Sequence, residues 1–91
     1  MNRLECLEAA IGAVCNDRED THGDPHESFQ NVADMWSMVA KTEIRPWQVC
    51  LMLAQMKIGR IVDGDRRHAD HYVDAAGYVA LAVELITERK N

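Results

Sequence analysis

The chain has few residues that bend or break a backbone: five glycines and two prolines among 91 residues. Its β-branched residues are scattered singly, and no stretch alternates apolar with polar long enough for a half-buried strand. Cysteine is scarce as well. The three present, Cys6, Cys15 and Cys50, are odd in number and sit inside apolar patterns. They argue against a disulfide framework and read as reduced, packed thiols of a cytoplasmic protein. Basic charge is in deficit, with 10 Lys and Arg against 15 Asp and Glu, a net charge of −5. That sign opposes a duplex nucleic-acid partner, whose phosphates call for a cationic face. No apolar run approaches the roughly 18 residues of a membrane span. The start, MNRLECLEAAIG, lacks the uninterrupted apolar stretch of a secretory signal. No membrane association is expected.

What remains is one small globular domain over residues 1–91, with 47% hydrophobic and 27% charged residues. Two tryptophans, five methionines and many aliphatics are a large apolar load for a chain of this size. A core this small is marginal alone, so a homo-oligomer is expected.

The apolar spacing is helical throughout and predicts an all-α, compact bundle of about four helices. The first runs from Asn2 to Cys15, with Leu4, Leu7, Ile11 and Val14 on one face. Asn16 to Asp24 is polar and predicts a loop. Asp24 is a good N-cap, Pro25 suits the first helical position, and Glu27 falls where a capping box places its acid. This second helix extends to Lys41 and buries Phe29, Val32, Ala33, Trp36 and Ala40. Pro46 opens a third helix that ends near Asp63, with Gly64 as its cap. It is apolar nearly all round, as in a central or interface helix. A fourth covers His68 to Glu88, with Val73, Ala76, Gly77, Ala80, Leu81 and Leu85 as its apolar positions. Gly77, in mid-helix, implies a close helix–helix approach.

The informative charges are those that break this pattern. Turning about 100° per residue places Lys57 in line with Cys50, Leu53, Ala54 and Ile61, and Arg60 beside Val49, Leu53 and Met56. Both cations point to the apolar side. Asp70 and Asp74 share a stripe with Gly77, Tyr78, Leu81 and Leu85. In an antiparallel pair the two cations would face the two acids. Two readings stay open: an ion-pair cluster that is purely structural, and a site in which carboxylates hold a divalent cation while cations hold phosphate. Glu27, Asn31 and Asp34 form a third stripe, opposite Phe29 and Trp36. It is either a solvated face or a site covered by another helix or subunit. His22 and His26, and His68 and His71, lack the companions of a zinc site. Neither a phosphate-binding glycine loop nor a nucleophile elbow is present.

Several blocks resemble a known family. Asp20-Thr21-His22-Gly23-Asp24-Pro25-His26-Glu27-Ser28-Phe29 is similar to the D-Y-G-D-P-x-E-N-F opening of uncharacterised short phage and prophage proteins. Lys57-Ile58-Gly59-Arg60 resembles their K-I-A-R block, and the segment Asp70 to Tyr78 their D-x-x-x-D-x-A-G-Y block. The resemblance covers about Asp17 to Glu84. More distantly, that family is similar to a phage nucleotide-modification-associated domain and to the all-α nucleoside triphosphate pyrophosphohydrolases of the MazG and dimeric dUTPase type. Those are helical bundles in which acids on two helices bind Mg²⁺. The resemblance implies that Glu27, Asp34, Asp70 and Asp74 are metal ligands, with Glu27, Asp70 and Asp74 catalytic. It implies that Lys57 and Arg60 bind phosphate, and that Asn31 or Tyr78 contacts base or sugar. This chain departs from the E-x-x-E and E-x-x-D pattern at Gln30 and His71.

The leading expectation is therefore a phage-type protein that binds a nucleotide or phosphate ligand with Mg²⁺ and acts as a pyrophosphohydrolase. Two alternatives stand beside it: a non-catalytic protein that engages a host protein, and a structural helical oligomer with a buried ion-pair cluster.

Overall fold

In the computed structural model, residues 1–17 and 23–87 are described, and among them all regular structure is helical. Helix α1 (Arg3–Ile11) continues into a π-helical turn (Gly12–Asp17). Three longer helices follow: α2 (Pro25–Ala40), α3 (Pro46–Asp63) and α4 (Ala69–Thr87). Among the described residues no helix is long and apolar enough to cross a membrane.

The helix starts follow local chemistry. At α1, the Asn2 side chain accepts from Glu5 N and the Glu5 carboxylate accepts from Asn2 N, both at 2.8 Å. This reciprocal pair satisfies two amides that the helix leaves free. At α2, Asp24 Oδ1 accepts from His26 N at 3.0 Å, and Pro25 occupies the first turn. Pro46 does the same for α3, where Gln48 Oε1 accepts from Arg45 N at 2.8 Å. Gly64 closes α3 by donating its N–H to Arg60 O at 2.9 Å. A Cβ there would lie 2.9 Å from that same carbonyl oxygen, so the tight closure requires glycine.

Packing centres on α3 and α4, which form the most extensive interface, with α1 resting on α4 and α2 on α3. The core joins Phe29 and Ala33 of α2, Val49 and Cys50 of α3, and Leu81, Ala82 and Leu85 of α4. Val32 and Trp36 are half-buried against it, whereas Ala40 and Ala80, expected inside, are exposed. Ser37 ties the end of α2 to the start of α3. Its hydroxyl donates to Ala33 O at 2.7 Å and accepts from Ile44 N at 2.8 Å.

The first helix departs from expectation in two ways. Its α-helical part ends at Ile11, and the π turn takes in Asn16 and Asp17, which the sequence assigns to a loop. Its large apolar residues also face outward: Leu4, Leu7 and Ile11 are 61%, 57% and 56% exposed. The inward side carries small residues instead, with Ala10 buried and Val14 half-buried. The cause lies on α4, where Gly77 is buried and a Cβ would sit 2.8 Å from Val14 Cγ1. Small residues on both sides let the backbones approach, and a leucine stripe would hold them apart. The close approach implied by Gly77 is thus present, made by the π turn. The third helix is not enclosed either: Leu51, Met52, Met56, Ile58 and Val62 remain exposed.

Gly77→Ala should therefore destabilise the fold. Overpacking costs about 1–3 kcal/mol, against a gain in helix propensity of about 1 kcal/mol. We expect a lowered melting temperature. The added substitution Val14→Ala should recover part of it, with a coupling above about 0.5 kcal/mol in a double-mutant cycle. Additive effects would show that the two residues do not touch.

Candidate functional site

Two places in the fold gather polar side chains. The first lies between α3 and α4. Lys57 Nζ meets Asp74 Oδ2 at 2.9 Å, with side chains 15% and 39% exposed. Lys57 follows Cys50 and Ala54 down the buried side of α3, so its ammonium leaves water only because Asp74 answers it. The rest of the expected cluster does not form. Arg60 is exposed and, among the described residues, has no ion-pair partner. Asp70 is exposed and lies 3.7 Å from His68 Nε2. Geometry explains both. A 57–74 match in an antiparallel pair sets Asp70 level with Ile61, and Arg60 level with His71. Arg60 also stands three residues on from Lys57, about 60° round the helix. A half-exposed pair of this kind contributes about 1 kcal/mol at most. It works as a pin on helix register.

The second place is a groove of about 640 Å³ between α2 and the α2–α3 connection, with Leu85 of α4 reaching its lining. One wall is the polar stripe of α2, where Glu27, Asn31 and Asp34 stand in line with Asp24 at the cap. The other carries Ile44, Arg45, Pro46 and the half-buried Trp47. Asp34 Oδ1 accepts from Gln30 Nε2 at 2.9 Å. Arg45 reaches Glu43 Oε1 at 3.4 Å. Four carboxylates (Asp24, Glu27, Asp34, Glu43) thus face one guanidinium. A groove of this charge attracts cations and repels bare phosphate. Among the described residues, no three of its acids or histidines are close enough to form a metal site on their own.

The expected site residues therefore divide. Glu27, Asn31 and Asp34 share the groove. Lys57 and Asp74 meet elsewhere, and Tyr78 is half-buried against the core. Along α4, Asp74 is 11 residues from Leu85 and Asp70 is 15, which is roughly 16 and 22 Å of helix. Within one chain the acids of α2 and those of α4 do not converge. Of the histidines, His26 lines the groove, while His22 lies outside the described residues. The His68 and His71 rings meet edge to face at 4.8 Å. Sequence reasoning missed Ser37, Glu43, Arg45 and Trp47 as groove residues. They come from the connection and the start of the next helix, and no periodicity marks them. The one available signal was the polar stripe of α2, which requires an opposite wall to become a site.

A family profile described as a domain of unknown function, DUF6378, matches residues 5–86. The chain belongs to the DUF6378 family. The Gene 55 protein of Mycobacterium phage D29 is 35% identical over 82 residues, which are 90% of this chain and 53% of that protein. The DUF6378 chain thus spans about half the length of this curated relative, a phage protein. No solved structure matches it.

The ion pair of this DUF6378 chain makes a stability prediction. Asp74→Leu alone leaves Lys57 unpaired at a largely buried position and should cost about 1–3 kcal/mol. Lys57→Met together with Asp74→Leu should return to within about 1 kcal/mol of the parent. Urea denaturation reads both. A double variant as weak as the single one would mean that the charges do more than satisfy each other.

Proposed function

We propose that this chain binds a nucleotide or similar phosphate ligand as its Mg²⁺ complex, in the groove between α2 and the start of α3. The observation that carries the reading is the pairing of walls. Carboxylates and an amide (Glu27, Asp34, Asn31) stand opposite an aromatic ring and a guanidinium (Trp47, Arg45) in a space of about 640 Å³. That volume is of small-ligand size. Glu27 and Asp34 would hold the metal. Mg²⁺ usually takes one or two protein carboxylates and completes its shell with water and substrate phosphates. A metal arriving with its phosphates therefore does not need a ready-made three-acid set. When bound, it offsets the repulsion between the phosphates and the acidic wall. Arg45 would contact phosphate, Trp47 would stack on the base, and Asn31 would hydrogen-bond to base or sugar.

The resemblance to all-α pyrophosphohydrolases makes hydrolysis the activity to assay. Asp70, Arg60 and Tyr78 lie away from this groove in the same chain, and Asp74 is engaged with Lys57. We assign them no step here. A second reading, a non-catalytic protein that engages a host protein, draws on the exposed Leu4, Leu7 and Ile11 of α1.

Thermal melting with a panel of nucleoside and deoxynucleoside triphosphates, each with and without Mg²⁺, tests the leading reading. A ligand that binds the native state raises the midpoint. We expect a rise only when metal and nucleotide are both present. Glu27→Gln and Asp34→Asn should each weaken binding at least tenfold. Pyrophosphate release is followed in parallel. A panel that leaves the midpoint unmoved removes the nucleotide reading.

A further inference from the structure

Helix α3 keeps one side bare, and that side reads the same in both directions. Its centre is the exposed Gln55. Met52 and Ile58 stand three positions away, Leu51 and Gly59 four, and Gln48 and Val62 seven. Along α3 these six, and no others, lie within about 60° of Gln55 round the helix. Leu51, Met52, Ile58 and Val62 are exposed, while Gln48 and Gly59 are half-buried. None is charged. The two cations of α3, Lys57 and Arg60, stand roughly 140° or more from Gln55. An exposed helix side normally holds the charged residues; this one holds apolar residues instead.

Gly59 is a second observation. Glycine inside a helix weakens it relative to alanine. At Gly77 the chain has a reason for it, since a Cβ there would strike Val14. At Gly59 a Cβ would meet nothing within 4 Å, so among the described residues no neighbour requires that position to stay small. The charges beyond the helix ends are a third. Arg45 and Glu43 precede Gln55 by ten and twelve positions, and Asp65 and Arg67 follow it by ten and twelve. Each matched pair is of opposite sign.

We infer that a second copy of the chain docks on this side, α3 against α3 and antiparallel, with a two-fold axis passing at Gln55. A two-fold contact requires a surface that matches itself on reversal. Reversal about Gln55 sets Gln48 level with Val62 of the partner subunit, Leu51 with Gly59 and Met52 with Ile58, so each member of the face meets another member. Leu51 of the partner subunit then enters the hollow bordered by Gln55, Ile58, Gly59 and Val62. Four residues at that spacing form the hole that a knob fills between packed helices, and the missing side chain of Gly59 keeps it open. At the axis the two Gln55 amides face each other. Each has a donor and an acceptor, so the pair bonds reciprocally, and one polar residue in an apolar seam fixes register. Reversal also gathers Glu43 and Arg45 at the same end of the pair as Arg67 and Asp65 of the partner subunit, where unlike charges complement each other. A partner of different sequence would call for none of this mirror order. The contact is independent of the ligand proposed for the groove.

Sedimentation equilibrium across the micromolar range tests this. The parent chain should have twice its 10.3 kDa mass. Gln55→Glu, which would bring two carboxylates together at the axis, should sediment at the single-chain mass with unchanged helical circular dichroism. Gly59→Leu fills the hollow and should weaken association roughly tenfold or more, again with helicity unchanged. Val83→Glu, on the exposed side of α4, should remain a dimer. If Gln55→Glu fails to fold, Gln55→Cys in a Cys6→Ser, Cys15→Ser background should form a covalent dimer on mild oxidation, and Val83→Cys in that background should not. A parent chain that stays at single mass would overturn the inference, even if another protein bound the face. So would a Gln55→Glu or Gly59→Leu variant that associates as the parent does, a Gln55→Cys chain that forms no covalent dimer, or a dimer lost in Val83→Glu.

Discussion

The antiparallel contact between α3 and α4 is the constraint on which the other parts of this chain depend. Val49 and Cys50 on one helix meet Leu81, Ala82 and Leu85 on the other, and every further element docks onto that pair. Its apolar half decides affinity, and the Lys57–Asp74 contact at the other half decides register. Sliding the helices by one turn in the direction that sets Tyr78 against Lys57 would strand a largely buried ammonium, while the opposite slide would offer it Asp70 instead. The cost of that mismatch far exceeds the small net worth of the matched pair. A weak interaction can thus be a strong selector.

Much of this architecture is legible in the amino-acid order. Pro25, Pro46 and Gly64 act through covalent geometry, so α2 and α3 start, and α3 stops, where those residues stand. The burial of Lys57 also follows from angle alone. What the order did not disclose depends on comparisons between helices. Leu4, Leu7 and Ile11 have the spacing of a core face, and within the chain it is the alanine side of α1 that goes inward. Only Gly77, far away in the chain, decides that choice, because it offers a slot that a small side fits and a large side does not. The groove is similar. Glu27, Asn31 and Asp34 are a visible stripe, while their opposite wall is created by Ser37 drawing Ile44, and with it Arg45 and Trp47, back over α2.

Placing the chain in DUF6378 and beside a phage protein defines its kin without defining its chemistry. The chemistry must come from the groove, and there the balance of charge is instructive. Four carboxylates against one guanidinium make a surface that disfavours a bare phosphate, and the binding proposed above answers this by having the phosphate arrive with its metal. Charge selection of this kind needs no catalytic group.

The shallow seating of α1 has a further consequence. With its π turn it touches the bundle through small residues (Cys6, Ala9, Ala10, Ala13) and Val14, so little apolar area would return to water if it lifted away. Opening free energies vary along a chain with the contacts each segment makes. α1 has a single buried residue, Ala10, against three or more in each longer helix, so local opening is expected to start there. Lifting α1 together with its π turn would bare the small notch at Gly77 and leave the α3–α4 contact in place, so the outermost helix is built as a cover over a framework that does not rest on it.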